Sequence, residues 1–480
     1  MLNSTKTQEL IDLFVKENYN PSISMTVYDN GKYESFNAGY TDLENKKAAT
    51  EDTIYAIGSS TKAFAAEALC ILADRGEIDL DTPIIEYLPA FAMYDAYVTA
   101  SLTVRDILCH RCGLPRHDLT WFANADYEKR DELIHNIRYL KPFTTFRSKW
   151  YYQNHMFVLA GYLIEKVSGL KWDDFVQKEI LEPLGLTASF KITDLAKDPK
   201  MSKNYSVTLS DGTLKPSSYR DIYHVGAAGC INSTTKEMAK WVALQLNDGK
   251  VGDKQIISSK LLKECHVPQM VIQDDPAMPK FPEISHKSYG LGWFVESYRG
   301  RTLVHHGGNI DGYSAMHFFV PGTGFGASIL TNCEGTPIQN SLMYSLIDLY
   351  FDYEAVDWLG RYKSAYIELM KKGEEAIGAL TDSAVKGTKP SLPLEKYVAT
   401  YNNPGYGDIK IAIVDGTLEA LYGDLDFKLE HLCLDSYLMK FGTKKMTVPA
   451  QFALSLTGEV QTFSAKLEPA LDEMIVFKKK

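Results

Sequence analysis

Residues 58–73 read Gly58-Ser59-Ser60-Thr61-Lys62-Ala63-Phe64-Ala65-Ala66-Glu67-Ala68-Leu69-Cys70-Ile71-Leu72-Ala73. The run after Lys62 consists of strong helix formers that are apolar almost all round, which is typical of a helix buried inside a large protein. This helix would begin at Ser59 and carry Lys62 one turn later, on the same face. Lysine is almost never fully buried without a partner, so its position here indicates a chemical role.

The pair Ser59 and Lys62 has the chemistry of a nucleophile and its base. Burial lowers the pKa of a lysine, and a neutral amine beside a hydroxyl can remove its proton. The free N–H groups at a helix N-terminus also favour developing negative charge. The sequence therefore predicts Ser59 as a catalytic nucleophile and Lys62 as the base that activates it.

The composition limits the classes of function. A chain of 480 residues exceeds the size of a single hydrophobic core, so two domains are expected. The hydrophobic content of 45% and charged content of 23% are ordinary for a soluble protein. A net charge of −10 argues against a nucleic-acid partner, and the absence of an 18-residue apolar run argues against a membrane span. The first residues do not have the pattern of a secretory signal.

The seven cysteines are scattered and odd in number, which favours reduced thiols and a cytoplasmic location over a disulfide framework. Cys109 and Cys112 have Cys-x-x-Cys spacing, but no second ligand pair accompanies them. We therefore predict neither a metal site nor a cofactor.

The order of the predicted elements indicates an α+β fold. Alternating strands occupy residues 22–40, with a turn at Asn30-Gly31, and strands return as an antiparallel meander over residues 289–331. With the helices between and after them, these strands predict an antiparallel sheet flanked by helices, plus an all-helical subdomain. A glycine- and proline-rich stretch near residue 380 precedes short alternating strands typical of a small barrel. The predicted ranges are 1–375 for the first domain, 376–392 for a linker and 393–480 for the barrel.

Two further groups of polar residues lie at predicted turns. Tyr152 and Asn154 precede a predicted helix over about residues 155–167, and their side chains can point into a common space. The alternative is that Tyr152 is simply a core aromatic beside Trp150 and Tyr151. The polar cluster at residues 115–118, Pro-Arg-His-Asp, either has a purely structural role or forms the wall of a cleft.

Ser59-x-x-Lys62, Tyr152-x-Asn154 and His306-Gly307-Gly308 occur in that order along the chain. This set resembles the serine β-lactamase and penicillin-binding-protein superfamily, in particular the group related to class C β-lactamases, D-aminopeptidases and family VIII carboxylesterases. The phrase Tyr289-Gly290-Leu291-Gly292-Trp293 is similar to one of that group. The resemblance covers about residues 20–350, and the tail from about 390 resembles the lipocalin-like domain fused to some of these hydrolases.

The resemblance implies a role for each matched residue. Ser59 would form an acyl-enzyme, Lys62 would deprotonate it, and Tyr152 would pass a proton to the leaving group and activate water. For that work the phenol of Tyr152 would need Lys62, and His306 as a further candidate, nearby to lower its pKa. Asn154 would hold Lys62 and the substrate amide. The strand His306-Gly307-Gly308-Asn309 would line the cleft, with the N–H groups of Ser59 and Asn309 as the oxyanion hole.

The third motif departs from the Lys-Thr-Gly of β-lactamases and most penicillin-binding enzymes. His306-Gly307-Gly308 lacks the lysine that binds the β-lactam or C-terminal carboxylate, which favours a peptidase or esterase for small substrates, with D-amino-acid peptides the leading candidate. The expected partner is a small molecule or short peptide, and a homo-oligomer is left open. A β-lactamase or D-Ala-D-Ala carboxypeptidase is the first alternative. A non-catalytic binding or assembly protein that keeps the fold is the second.

Overall fold

The computed structural model describes residues 2–17, 20–122, 130–208, 212–273, 279–441 and 446–480. Its α-helices are α1 (Ser4–Glu17), α2 (Thr61–Asp74), α3 (Ile84–Tyr87), α4 (Ala96–Ser101), α5 (Val104–Leu108), α6 (Leu119–Phe122), α7 (Arg130–Asn136), α8 (His155–Ser168), α9 (Trp172–Val176), α10 (Glu182–Leu184), α11 (Thr235–Leu246), α12 (Ser259–Cys265), α13 (Ile338–Tyr350) and α14 (Trp358–Ser383). Shorter 3₁₀ turns include Gly58–Ser60 and Tyr223–Ala228, and a π-helical turn at Gln177–Leu181 joins α9 to α10.

The strands are β1 (Ser22–Asp29), β2 (Lys32–Asp42), β3 (Lys47–Ala48), β4 (Tyr55–Ala56), β5 (Tyr205–Thr208), β6 (Thr213–Pro216), β7 (Asn232–Ser233), β8 (Lys250–Val251), β9 (Lys254–Gln255), β10 (Met270–Val271), β11 (Ile284–Tyr289), β12 (Phe294–Tyr298), β13 (Arg301–Ile310), β14 (Tyr313–Val320), β15 (Phe325–Thr331), β16 (Cys333–Glu334), β17 (Ala399–Asn403), β18 (Gly407–Val414), β19 (Thr417–Tyr422), β20 (Leu425–Cys433), β21 (Ser436–Phe441), β22 (Met446–Leu454), β23 (Val460–Ala465) and β24 (Ile475–Lys479). The chain divides into two compact units. The first contains Met1–Pro89, Leu102–Arg111 and His155–Leu369, and the second contains Ala90–Ser101, Cys112–Asn154 and Met370–Lys480.

One antiparallel sheet organises the first unit, with strand order β10-β11-β12-β13-β14-β15-β1-β2-β3. Strand β1 pairs with β15, with Ile23 opposite Thr331, so the first hairpin completes the meander that comes much later in the chain. Met25 faces the hydrophobic core that α1 and α13 cover. Its neighbour Thr26 points the other way, where its hydroxyl donates to Thr235 Oγ1 of α11 at 3.0 Å. Helices therefore cover both faces, as the alternation of the strand residues requires.

Helix α2 is buried from Thr61 to Leu72. Its apolar surface is thus covered on every side, which confirms the prediction made from its composition. After Asp74 the chain turns through Gly76 at φ +74°. The amide of Gly76 donates to Ala73 O at 3.0 Å, so the helix ends at this glycine.

In the second unit β17–β24 form a closed antiparallel barrel, in which β17 also pairs with β24. Buried aromatic side chains such as Tyr401, Phe463 and Phe477 fill its interior. The predicted fold class, an α+β unit followed by a small β-barrel, is confirmed. Helix α14 continues to Ser383, so the stretch predicted as a linker, residues 376–392, begins inside this helix.

Among the described residues, no helix combines the length and the apolar character needed to cross a bilayer.

Candidate active site

Ser59 and Lys62 meet where a 3₁₀ turn runs into α2. Ser59 is the middle residue of the turn Gly58–Ser60, and Lys62 is the second residue of the helix. Lys62 Nζ lies 3.2 Å from Ser59 Oγ, within hydrogen-bond distance. The residue Lys62 is 0% exposed. The structure therefore brings together a hydroxyl and a buried amine, which is the arrangement that base-activated nucleophiles use.

The Lys62 amine has a second partner that the sequence did not reveal. Its Nζ donates to the carbonyl oxygen of Ala228 at 2.6 Å, and it lies 5.5 Å from the centre of the Phe157 ring. Ala228 ends the 3₁₀ turn Tyr223–Ala228, directly before Gly229. A strong backbone acceptor on one side and an aromatic face on the other fix the direction in which Nζ points toward Ser59.

Strand β13 packs closely against the backbone that carries Ser59. A methyl group added at Gly308 would lie 1.9 Å from Ile57 O and 2.8 Å from Ser59 N, so only glycine fits there. One added at Gly58 would lie 3.0 Å from Asn309 N. The amides of Ser59 and Asn309 thus belong to two backbone segments in direct contact. Their joint role as an oxyanion hole stays a prediction.

His306 is held as one neutral tautomer. Its Nδ1 is 2.7 Å from Gly307 O, and its Nε2 is 2.9 Å from Tyr289 Oη. A carbonyl oxygen can only accept, so Nδ1 carries the hydrogen, and Nε2 accepts from the Tyr289 hydroxyl.

Burial, reinforced by the positive charge of Lys62, holds the pKa of His306 well below its usual range. The neighbouring His305 and His317 act in the same direction, and the ring of His110 packs on Tyr289. The ring of His306 is therefore held neutral, and its role toward Tyr152 stays a prediction.

Helix α2 carries a second buried ionisable residue, Glu67, which is 1% exposed. Its carboxyl accepts from Trp241 Nε1 at 2.9 Å and from Gln245 Nε2 at 2.6 Å. Burial raises the pKa of Glu67 to about 8, while these two hydrogen bonds partly oppose the rise. The side chain is therefore protonated at neutral pH.

Tyr152 and Asn154 lie in the second unit, immediately before α8 in sequence. Asn154 Nδ2 donates to Asp118 Oδ1 at 2.8 Å. The guanidinium of Arg116 lies over the Tyr152 ring, 5.1 Å from its centre. The structure thus joins these two residues to the polar cluster at 115–118, and their catalytic roles stay a prediction.

Within the described ranges, no group of three or more His, Cys, Asp or Glu side chains is arranged to hold a metal ion.

The sequence profile of the beta-lactamase family matches residues 7–348, which contain every predicted site residue. The chain belongs to the beta-lactamase family. As a member of it, the chain is a serine hydrolase of amide or ester bonds, which confirms the predicted enzyme class. Residues 383–479, which include the barrel strands, match a domain of unknown function, DUF3471.

Individual relatives extend the likeness beyond the beta-lactamase region. An unguisins hydrolase, ungD', from Aspergillus campestris is 27% identical over 96% of this chain and 89% of its own length. The octameric penicillin-binding protein homologue from Pyrococcus abyssi superposes with a TM-score of 0.65 at 19% identity, over 99% of this chain and 100% of its own. A D-amino acid amidase from Ochrobactrum anthropi SV3, complexed with D-phenylalanine, gives a TM-score of 0.60 at 21% identity, over 73% and 99%. The two solved structures show the shared fold.

Three residues beside the motifs of this beta-lactamase family member were not predicted as site residues. Ala228 contributes a backbone oxygen, which any residue could supply, so its side chain carries no signal. Phe157 contributes a ring from α8 that reads in sequence as an ordinary core position. Tyr289 could have been found, because it opens the phrase Tyr-Gly-Leu-Gly-Trp, which is similar to one of the family.

Proposed function

We propose that this chain hydrolyses small amides or esters, among them substrates containing D-amino acids, through an acyl-enzyme formed on Ser59. The observation that carries the proposal is the 3.2 Å contact between Lys62 Nζ and Ser59 Oγ at the start of a buried helix. Because the Lys62 amine is buried, its hydrogen bonds are stronger than they would be in water.

Acylation would begin with transfer of the Ser59 hydroxyl proton to Lys62. When Lys62 is an ammonium group, it donates to both Ser59 Oγ and Ala228 O. When it is a neutral amine, it would keep the hydrogen bond to Ala228 O and turn its lone pair toward Ser59 Oγ, which is the state that can accept the proton. Oγ then bonds to the carbonyl carbon of the substrate, and the electron pair of the C=O bond moves to its oxygen. The N–H groups of Ser59 and Asn309 would stabilise that oxyanion, where one donor is typically worth ~10²–10³ in kcat.

Collapse of the tetrahedral intermediate would break the bond to the leaving group. We assign to Tyr152 the proton that the leaving group takes up, and to Asn154 the positioning of the substrate amide. In deacylation Tyr152 would accept a proton from water as the water attacks the acyl carbon, and Ser59 would recover its proton as it leaves. These two assignments rest on the Tyr152-x-Asn154 motif and on the family. His306, Gly307 and Gly308 would line the cleft along β13.

Two relatives support the substrate class. One is named for hydrolysis of unguisins, and the other is an amidase for D-amino acids, crystallised with D-phenylalanine. The absence of a lysine at His306 removes the usual cation for a substrate carboxylate, which favours amides and esters over β-lactams and D-Ala-D-Ala termini.

The test is intact-mass spectrometry after incubation with a fluorophosphonate and, separately, with benzylpenicillin. We expect a fluorophosphonate adduct on the wild-type chain, none on Ser59→Ala, and an adduct on the matched control Ser60→Ala, whose hydroxyl donates to His306 O at 3.1 Å. A lasting penicillin adduct would instead favour a penicillin-binding enzyme. No adduct with either reagent would refute the proposal and favour the non-catalytic alternative.

A substrate panel would then separate the hydrolase classes. D-phenylalaninamide, L-phenylalaninamide, p-nitrophenyl acetate and a chromogenic cephalosporin are tested with wild type and Ser59→Ala. We expect turnover of the ester and of the D-amide, with slower turnover of the L-amide and little of the cephalosporin. Faster turnover of the cephalosporin than of all the others would make the chain a β-lactamase.

We further propose a cytoplasmic location and the domain ranges 1–375, 376–392 and 393–480. The seven cysteines are all free thiols, which suits a reducing compartment. A homo-oligomer is proposed by analogy with the octameric homologue from Pyrococcus abyssi. Size-exclusion chromatography with light scattering tests it, and a mass of one chain would refute it.

A further inference from the structure

A buried polar cluster inside the second unit joins the barrel to the cluster at 115–118. His117, Tyr406 and Glu468 are exposed by 1%, 2% and 3%, respectively. Tyr406, between β17 and β18, places its Oη 2.7 Å from His117 Nδ1. Glu468, between β23 and β24, accepts the backbone N–H of His117 at 2.7 Å. Two barrel connections therefore hold one residue from both its side chain and its backbone.

The direction of these hydrogen bonds is fixed by chemistry. His117 Nε2 lies 2.9 Å from Lys141 O, which can only accept, so Nε2 carries the hydrogen and Nδ1 accepts from the Tyr406 hydroxyl. Burial lowers the pKa of His117 to about 4, so the ring is neutral and this arrangement persists at neutral pH. His117 also has φ +47°, a conformation that non-glycine residues adopt when surrounding contacts impose it.

The residues around His117 in turn hold the predicted catalytic segment at three points. Asp118 Oδ1 accepts from Asn154 Nδ2 at 2.8 Å. Arg116, whose Nε is 2.5 Å from Asp118 Oδ2, lies over the Tyr152 ring. Pro115 O accepts from the buried Gln153 Nε2 at 3.0 Å. A displacement of residues 115–118 would therefore be passed directly to residues 152–154.

We infer that Tyr406 and Glu468 of the barrel are positioning residues for the hydrolytic reaction, acting through His117 and Asp118 on Asn154 and Tyr152. This inference rests on the proposed function, because it requires Asn154 and Tyr152 to take part in the reaction. It gives the domain of unknown function a mechanical role: its two connections fix the conformation of the segment that carries those two residues.

The test compares two barrel tyrosines in the full chain. Tyr406→Phe removes the hydroxyl that His117 needs. The matched control, Tyr401→Phe, removes an equally buried barrel hydroxyl that donates to Tyr397 O at 2.8 Å and has no bond to residues 115–118. The substrate is p-nitrophenyl acetate, whose leaving group departs readily. We therefore expect hydrolysis of the acyl-enzyme, the step for which Tyr152 is proposed, to govern kcat. We expect Tyr406→Phe to lower kcat about tenfold, the equivalent of one lost hydrogen bond, with little change in KM. Tyr401→Phe should keep kcat within about twofold, whatever its effect on Tm.

A double-mutant cycle establishes the route. In an Asn154→Ala background, Tyr406→Phe should lower kcat by a smaller factor than in the wild-type background, because one of the two residues it positions is already absent. Glu468→Gln is a second variant of equal size, and its kcat is expected to fall in the wild-type background and to fall by a smaller factor in Asn154→Ala.

Equal losses of kcat in Tyr406→Phe and Tyr401→Phe would overturn the inference. A higher KM for Tyr406→Phe at unchanged kcat would also overturn it, because that result indicates that the barrel affects substrate binding and not the positioning of reacting groups. If Asn154→Ala lowers kcat and Tyr406→Phe does not, this inference fails and the proposed function stands. If Asn154→Ala keeps the wild-type kcat, or Ser59→Ala retains turnover, the proposed function itself fails and takes this inference with it.

Discussion

Replacing Glu67 by glutamine should remove the loss of folding stability that this one carboxyl causes as the pH rises from 5 to 8. Glu67 lies on α2 with both carboxyl oxygens in hydrogen bonds, to Trp241 and Gln245, and it is fully buried. Burial raises its pKa to about 8 from an ordinary value of 4.5. Between these two values the folded chain holds a proton on Glu67 that the unfolded chain has released.

The sign and size follow from proton linkage. Stability falls with rising pH wherever the folded state binds more protons, by about 1.4 kcal/mol per pH unit for one group. Below pH 4.5 the carboxyl is protonated in both states, and above pH 8 it is ionised in both, so the loss is confined to this interval. Glu67 therefore costs the folded state about 5 kcal/mol across it, of which about 4 kcal/mol falls between pH 5 and pH 8.

Glutamine can occupy the site because its neighbours can reverse their hydrogen bonds. Gln245 Oε1 lies 3.0 Å from His266 Nε2, and burial lowers the pKa of His266 to about 3, so that ring is neutral. If the Gln245 amide turns over and His266 changes tautomer, Gln245 offers its oxygen to the new amide at position 67. The variant thus keeps the volume and the hydrogen bonds of position 67 with Trp241 and Gln245. It gives up the long bond from Gln245 Nε2 to Trp241 O at 3.4 Å and loses the titration.

The assay is urea unfolding followed by tryptophan fluorescence at pH 5, 6, 7 and 8. The difference in free energy of unfolding between Glu67→Gln and wild type should move in favour of the variant by about 4 kcal/mol from the lowest pH to the highest. Glu77→Gln, at an exposed position just after the same helix, is the control and should give a constant difference. Parallel curves for Glu67→Gln and wild type at all four pH values would refute the reasoning.

Three further changes test the geometry around the site. Gly308→Ala should abolish turnover, because its methyl group would lie 1.9 Å from a backbone oxygen. Gly307→Ala should reduce kcat/KM much less, because its methyl group would lie 3.2 Å from the nearest backbone atom. Equal kcat/KM in the two variants would contradict this. Tyr289→Phe removes the hydrogen bond that His306 Nε2 accepts, so the pKa of His306 should rise. The pH below which kcat/KM falls should then move to a higher value. If kcat/KM measured from pH 4.5 to 8 falls at the same pH as in wild type, the protonation of His306 does not affect the reaction in that range. Thr103→Ala breaks the capping box of α5 and should lower the free energy of unfolding by about 1 kcal/mol. Thr103→Ser keeps the hydroxyl and should lose much less of this free energy. Urea unfolding measures both variants, and equal losses would show that the hydroxyl does not cause the stabilisation.

The parts of the fold that depend on local pattern were predictable. The composition of α2 indicated a helix buried on all sides, and the helix after Asn154 formed at the predicted position. The pairing of β1 with β15 was not predictable, because it joins segments some 300 residues apart and no local pattern specifies a partner strand. Helix α14 extends into the stretch predicted as a linker because Gly373 and Gly378 cost only about 1 kcal/mol each inside a helix.

In the candidate site, too, only the contacts between residues close in sequence were predictable. Ser59 and Lys62 are three residues apart on one helix turn, so their proximity follows from helical geometry alone. The groups that orient Lys62 are a backbone oxygen at Ala228 and a ring at Phe157, and neither residue type signals that role.

His117 shows why the polar cluster at 115–118 could not be interpreted from sequence. Its ring bonds Tyr406, nearly 300 residues later in the chain, and its amide bonds Glu468, in a segment that matches a different family. A buried histidine needs both a donor and an acceptor, and the sequence offers many candidates for each. The three-dimensional structure selects one of each and so shows that the cluster is a structural joint. Since this joint also holds Asn154, its structural role and any role in catalysis cannot be separated by substituting His117 alone, which is why the barrel side of the contact is the informative side to change.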